Sequence, residues 1–257
     1  MTKENYFSGK RIWITGASSG IGKAVALELA RRGARIALSA RNELALRNVC
    51  REIGRDDTLI IPMDVTDKQQ NLAAARRIEQ TWGGLDIAFF NAGTAEYVDV
   101  KNFDSGVFER TIKTNFLSMV YGIEAVLPLL RKSTTAQLGG MSSTVSFAGI
   151  PRAEAYGASK AAVRNMMQAL RVNLIQDDIR VFTVCPGFVK TPLTDKNDFP
   201  MPMRIEADKA ARLIVKGIEK GTDEIHFPRL FSWTYKILSH LPSKVYTRLM
   251  LATVRQS

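Results

Sequence analysis

Apolar positions along the chain gather in short blocks separated by longer stretches of helical period. The clearest blocks are residues 11–15 (RIWIT), 34–39 (ARIALS), 58–63 (TLIIPM), 85–90 (LDIAFF) and 179–185 (IRVFTVC). Residues 139–143 (GGMSS) and 223–227 (DEIHF) are weaker members of the same series. Between the blocks, helices are expected over 20–32, 42–54, 67–82, 105–132, 156–176 and 206–220. Strands that are apolar on both faces and alternate with helices belong to a parallel sheet covered on both sides. Right-handed crossovers then give an α/β fold, a doubly wound parallel sheet of about seven strands with helices on both faces.

No repeat, low-complexity tract or Pro/Gly/Ser-rich linker divides the chain, so residues 1–257 read as one domain with a core over 8–227. Two segments break the rhythm. Residues 188–205 (FVKTPLTDKNDFPMPMRI) hold three prolines and no clean period, as a mobile substrate loop would. Residues 228–257 form a basic tail without an acidic residue.

Composition narrows the class. With 46% hydrophobic and 24% charged residues the 257-residue chain is neither disordered, collagen-like nor a coiled coil. Cys50 and Cys185 are too few for a disulfide scaffold and fit a reducing compartment. With no CxxC pair and only His226 and His240, no metal site is expected. The balance of 36 basic to 25 acidic residues, +11, favours an anionic partner: nucleic acid, a lipid headgroup surface or a phosphorylated ligand. The first ten residues carry no apolar h-region and no 18-residue apolar run occurs, so the cytoplasm is the expected location.

The first strand leads into Thr15-Gly16-Ala17-Ser18-Ser19-Gly20-Ile21-Gly22, which opens a helix. Gly16 permits the sharp turn, Gly20 lets backbone approach a pyrophosphate and Gly22 allows close helix–strand packing, with the helix dipole behind them. The exposed amides at residues 20–22, Gly20, Ile21 and Gly22, would hold the phosphate charge, and Gly16, Ser18 and Ser19 belong to the same cofactor-binding turn. A plain tight strand–helix connection is the competing reading. The second strand ends Ser39-Ala40-Arg41, with no carboxylate for the ribose hydroxyls of NAD and one guanidinium for a 2′-phosphate, so NADP(H) is preferred over NAD(H). Arg41 as a merely solvated strand-end residue is the alternative.

Further motifs follow in order: Asn91-Ala92-Gly93 after the fourth strand, Asn115 within TNFLS, Ser143, Tyr156-Gly157-Ala158-Ser159-Lys160 and Pro186-Gly187. Ser143 lies 13 residues before Tyr156. Taken with the TGASSGIG turn, they resemble the single-domain, Rossmann-type branch of the short-chain dehydrogenase/reductase family over about residues 8–227. The resemblance implies Asn115, Ser143, Tyr156 and Lys160 as the catalytic set. Ser143 would hold a carbonyl oxygen, Asn115 would support a proton relay through water, and Lys160 would bond the nicotinamide ribose. It also implies cofactor contacts at Asp64, Val65, Asn91, Ala92, Gly93, Pro186, Gly187, Val189 and Thr191. Homo-oligomers, dimer or tetramer, built on 105–132 and 156–176 are implied as well. Two of these positions have ordinary readings too: Asp64 as a helix cap and Asn91 as a turn residue of positive φ.

Chemistry supports the central pair independently. A carbonyl that receives a hydride needs a proton donor, and a tyrosine of ordinary pKa near 10 needs a cation nearby to serve near neutrality. Lys160 at i+4 lies one turn from Tyr156 on the same helix face. Cys185 reads as a small buried hydrophobe. One departure stands out: Gly139-Gly140 falls in the strand leading to Ser143, where two glycines pack poorly.

The tail joins Arg229, Lys236, Lys244, Arg248 and Arg255 to apolar and aromatic residues, and Pro242 divides it into two short amphipathic helices. It either touches a membrane surface as a peripheral contact or packs on its own domain or another subunit. Many carrier-protein-dependent fatty-acid reductases of the family end soon after the last strand, whereas this chain continues. The expected function is an NADP(H)-dependent carbonyl reductase or secondary-alcohol dehydrogenase acting on a lipophilic small-molecule ketone, Tyr156 being the general acid/base. A non-catalytic NADP-binding sensor or scaffold is the alternative. No nucleic-acid partner is expected, since no basic stripe interleaved with aromatics forms a readable module.

Overall fold

The computed structural model describes residues 6–254, apart from the side chains of 252–254. Residues 1–5 and Arg255 of the tail lie outside the described residues. In chain order the strands are β1 (Arg11–Thr15), β2 (Arg35–Ala40), β3 (Leu59–Pro62), β4 (Ile87–Phe90), β5 (Gln137–Met141), β6 (Arg180–Pro186), β7 (Val189–Lys190), β8 (Ile205–Glu206) and β9 (Glu224–Phe227). The helices are α1 (Gly20–Arg31), α2 (Glu43–Ile53), α3 (Lys68–Trp82), α4 (Ser105–Ile112), α5 (Ser118–Leu130), α6 (Glu154–Asn173), α7 (Ala207–Lys220), α8 (Arg229–Leu238) and α9 (Ser243–Val254).

A seven-stranded parallel sheet runs β3-β2-β1-β4-β5-β6-β9. The strand interiors are mostly apolar and buried because both faces are covered. Ile12 and Ile14 of β1 pack with Val25 and Leu29 of α1 and Ile214 and Ile218 of α7. Between them, Trp13 turns to the opposite layer with Ile78 of α3, Val126 of α5 and Val163 of α6. The strand order reverses between β1 and β4, which leaves a crevice outside the carboxyl ends there.

Three local departures from the expected elements have physical causes. The stretch 105–132 is interrupted at Lys113–Leu117 by a π-helical turn between α4 and α5, a distortion with no compositional signature. Residues 188–205 contain the short parallel pair β7–β8 and a single turn at Thr194–Lys196. β5 begins at Gln137, two residues before the apolar block suggested, and ends at Met141.

The adjacent glycines of β5 do not loosen it. Phe89 of β4, Gly139 and Phe182 of β6 stand in register on neighbouring strands, and the two rings stack 5.9 Å apart across the glycine. A Cβ on Gly139 would fall 2.1 Å from Cζ of Phe182. On the other face, a Cβ on Gly140 would meet Met119 and Met167 at 3.0–3.1 Å. Neighbouring side chains fill the volume that the glycines vacate.

The tail forms α8 and α9 with Pro242 between them. Phe231 and Pro228 lie against Gly187, Ser232 is buried, and the Tyr246 hydroxyl donates to the Gly149 carbonyl. One side of the tail therefore packs on its own fold.

Candidate active site

A cleft of about 690 Å³ opens at the switch point. At one end is the turn after β1. Gly16 (φ +67°) and Gly20 (φ +56°) hold conformations that glycine adopts without strain. Helix α1 starts with no side-chain cap at Ser19 and no acidic residue in its first turn, so its leading amides have no anion from the chain itself. That is the chemistry a phosphate group satisfies. Ser18, Ser19, Gly20 and Ile21 line the cleft. Gly22 lies behind the wall: a Cβ there would be 2.3 Å from the Gly16 carbonyl oxygen and 2.4 Å from Nδ2 of Asn91.

Asn91 fixes this turn from the neighbouring strand. Its Nδ2 donates to the carbonyls of Thr15 and Gly16 at 3.1 and 3.2 Å, while its own amide and that of Ala92 donate to Thr15 Oγ1. Asn91 has no positive φ. It acts as a clamp between β1 and β4, not as a turn former.

Arg41 lines the cleft, is exposed and pairs with no carboxylate among the described residues. Asp64 accepts from the amide and hydroxyl of Thr66 at 2.9 and 2.8 Å, and the helix cap of α3 is Asp67. Asp64, Val65, Ala92, Gly93, Pro186, Gly187, Val189 and Thr191 all contribute to the cleft wall.

At the other end Ser143, Tyr156 and Lys160 share the wall. Lys160 is buried; its Nζ donates to the Met141 carbonyl at 2.9 Å and stands 5.8 Å from the Tyr156 ring centroid. Burial pulls the Lys160 ammonium down to about 8. Burial pushes the Tyr156 phenol up to about 12, only partly opposed by the Ser143 hydroxyl. In the protein alone desolvation dominates and the Ser143 hydroxyl is the group that opposes it, so near neutrality Tyr156 keeps its proton. Cys185, also buried, is pushed up to about 12 by desolvation and is no nucleophile.

Asn115 sits in the π turn, fully buried and outside the cleft wall. Its Oδ1 accepts from the Thr94 amide at 2.7 Å, and its Nδ2 donates to the Thr94 carbonyl and to Ser159 Oγ, both at 2.9 Å. Ser159 in turn donates to the Tyr156 carbonyl. Asn115 thus ties the segment after β4 to the helix that carries Tyr156.

Residues 10–200 match the short chain dehydrogenase family. The chain belongs to the short-chain dehydrogenase/reductase family. An uncharacterized oxidoreductase of Myxococcus xanthus is 35% identical over 91% of this chain and 93% of its own length. A short chain dehydrogenase of Shigella flexneri, solved with NADP, aligns with TM-score 0.79 and 27% identity over 87% of this chain and 98% of its own. One from Burkholderia phymatum, solved with NAD, has the same fold at TM-score 0.83 and 22% identity, covering 90% and 92%. The protein is accordingly an NAD(P)-dependent oxidoreductase that acts on a small molecule. Among its described residues no helix is long and apolar enough to cross a membrane.

Several neighbours of these residues escaped the sequence. Ser142 Oγ donates to the Lys160 carbonyl, and Thr94 is the partner of Asn115; neither carries a motif. Glu96, Arg110, Lys113 and Thr194 line the cleft, also without one. Outside the cleft wall lies a row of half-buried rings, Tyr97–Phe199–Phe188–Phe231–Tyr235, with successive centroids 5.5, 6.1, 5.4 and 4.9 Å apart, which meets the wall where Phe231 packs on Gly187. These rings come from three segments, so no local pattern announces them.

Proposed function

We propose that the protein reduces lipophilic ketones with NADPH as the preferred hydride donor and Tyr156 as the proton donor. The observation that carries this reading is the placing of Ser143, Tyr156 and Lys160 in one cleft with an uncapped helix N-terminus at its far end. When bound, the dinucleotide supplies the hydride. The chain's residues do the rest. The first amides of α1 take the phosphates, and the unpaired Arg41 takes a 2′-phosphate. Ser143 Oγ holds the substrate oxygen while Tyr156, protonated at neutral pH, donates to it. Lys160, fixed by Met141, orients the nicotinamide ribose. The row of rings that meets the cleft wall at Gly187 supplies apolar area with few polar demands, which suits a hydrophobic ketone.

The test is NADPH oxidation over ketones of graded chain length, by the wild type and by Tyr156→Phe. Removing the proton donor should lower kcat at least roughly a hundredfold with NADPH affinity retained. Rising kcat/KM with chain length supports the lipophilic class. NADPH binding without turnover of any ketone would convert the protein into a redox-sensing binder and end the reductase reading.

A further inference from the structure

Helix α8 has two unlike faces. Phe231, Ser232 and Tyr235 turn inward, where Phe231 packs on Gly187 and Phe188 at the catalytic end of the cleft. Leu230, Trp233 and Ile237 recur at i, i+3 and i+7 and are 65%, 53% and 61% exposed. On α9, Val245 and Leu249 lie one turn apart and are 45% and 47% exposed. Large apolar side chains aligned and open to water mark a binding surface.

The charges identify its partner. Arg229, Lys244 and Arg248 each directly precede one of these apolar residues, and none forms an ion pair with a described carboxylate. Lys236 is held by Glu224 at 2.6 Å. No Asp or Glu occurs after Glu224 in the chain. A second copy would bring the same unpaired cations to the same face and repel, whereas an anionic bilayer offers hydrocarbon for the ridge and headgroups for the cations.

We propose that α8 and α9 seat the protein on an anionic lipid bilayer, with Leu230, Trp233 and Ile237 at the acyl boundary and Arg229, Lys244 and Arg248 among the headgroups. Because α8 packs on Gly187 of the cleft wall and on its neighbour Phe188, and α9 reaches Gly149, the cleft mouth lies beside the bilayer and receives substrate from it. The origin of the substrate rests on the ketone-reductase reading; the docking does not.

The experiment is flotation of the full chain with vesicles of phosphatidylcholine alone or mixed with phosphatidylglycerol. It is combined with quenching of tryptophan fluorescence by brominated phosphatidylcholine. Trp13 and Trp82 are buried, so quenching reports Trp233. The mixed vesicles should float the protein and quench it, and salt should reverse both. Each cation near the surface is worth roughly fivefold. The variant Arg229→Ala/Lys244→Ala/Arg248→Ala should lose roughly a hundredfold in vesicle affinity, with NADPH binding intact as the check on folding. Trp233→Ser/Ile237→Ser should lose binding equally. Failure to float with anionic vesicles overturns the proposal, as does flotation that neither variant weakens. A dimer that Trp233→Ser/Ile237→Ser dissolves, in a protein that does not float, assigns the face to a second copy. Flotation without ketone turnover keeps the docking and removes the reductase reading; turnover without flotation does the reverse.

Discussion

Substituting Gly139 by alanine tests whether β5 is built around its missing side chain. The new Cβ would sit 2.1 Å from Cζ and 2.5 Å from Cε2 of Phe182, whereas carbon contacts settle near 3.5–4.0 Å. The ring must withdraw by about 1.5 Å, yet it is fully buried and stacked on Phe89 at 5.9 Å. Overpacking of this kind costs about 1–3 kcal/mol, reduced slightly by the stiffer unfolded chain. A net loss of about 2 kcal/mol lowers Tm by roughly 4–8 °C in a chain of this size. β5 ends at Met141, whose carbonyl holds Lys160, so kcat should fall along with stability. Differential scanning calorimetry of Gly139→Ala, Phe182→Leu and the double variant reads the coupling. The double variant should be at least about 1 kcal/mol more stable than the sum of the singles predicts. A single variant within about 0.5 kcal/mol of wild type, or simple additivity, refutes the reasoning.

Two further outcomes are expected. Between pH values of about 8, the folded pKa of Lys160, and 10.5, its ordinary value, the unfolded chain holds a proton that the folded chain has released. Stability from this group therefore rises with pH through that window, by an amount of order 3 kcal/mol, and Lys160→Met should flatten the rise in urea midpoints; parallel pH curves for the two proteins would contradict it. Arg41→Ala should weaken NADPH binding roughly tenfold, as loss of one solvent-exposed charge-assisted contact does, and change NADH affinity little; equal losses in fluorescence titrations would exclude Arg41 as the 2′-phosphate ligand.

What the sequence disclosed follows from where information is local. Strands buried on both faces appear as continuous apolar runs, so β1, β2, β3, β4 and β6 were placed within two residues of their observed bounds, and the weaker blocks at β5 and β9 came as near. The phosphate turn and the Tyr156–Lys160 pair were legible because glycine conformation and helix spacing are short-range properties. β5 was hard to place because its glycines draw their packing from Phe182 and Met167, distant in sequence. The π turn had no signature, and so the inward seat of Asn115 behind the wall was hidden. The tail's two helices could be read from Pro242, but which face of α8 turns inward could not. An amphipathic repeat does not say whether Phe231 or Trp233 meets the fold.

Asn91 and the glycines around it give the two ends of the cleft different physics. With Gly16, Gly22 and the Asn91 amide interlocked at van der Waals contact or closer, the turn has almost no alternative arrangements to lose. Its ordering entropy is settled during folding, and a dinucleotide meets a finished mould. The aromatic row beyond the wall is assembled from rings on three separate segments, joined by ring contacts with centroids 4.9–6.1 Å apart. Substitutions can accumulate there one ring at a time without disturbing the turn, so on the proposed reading substrate range and cofactor grip would change independently.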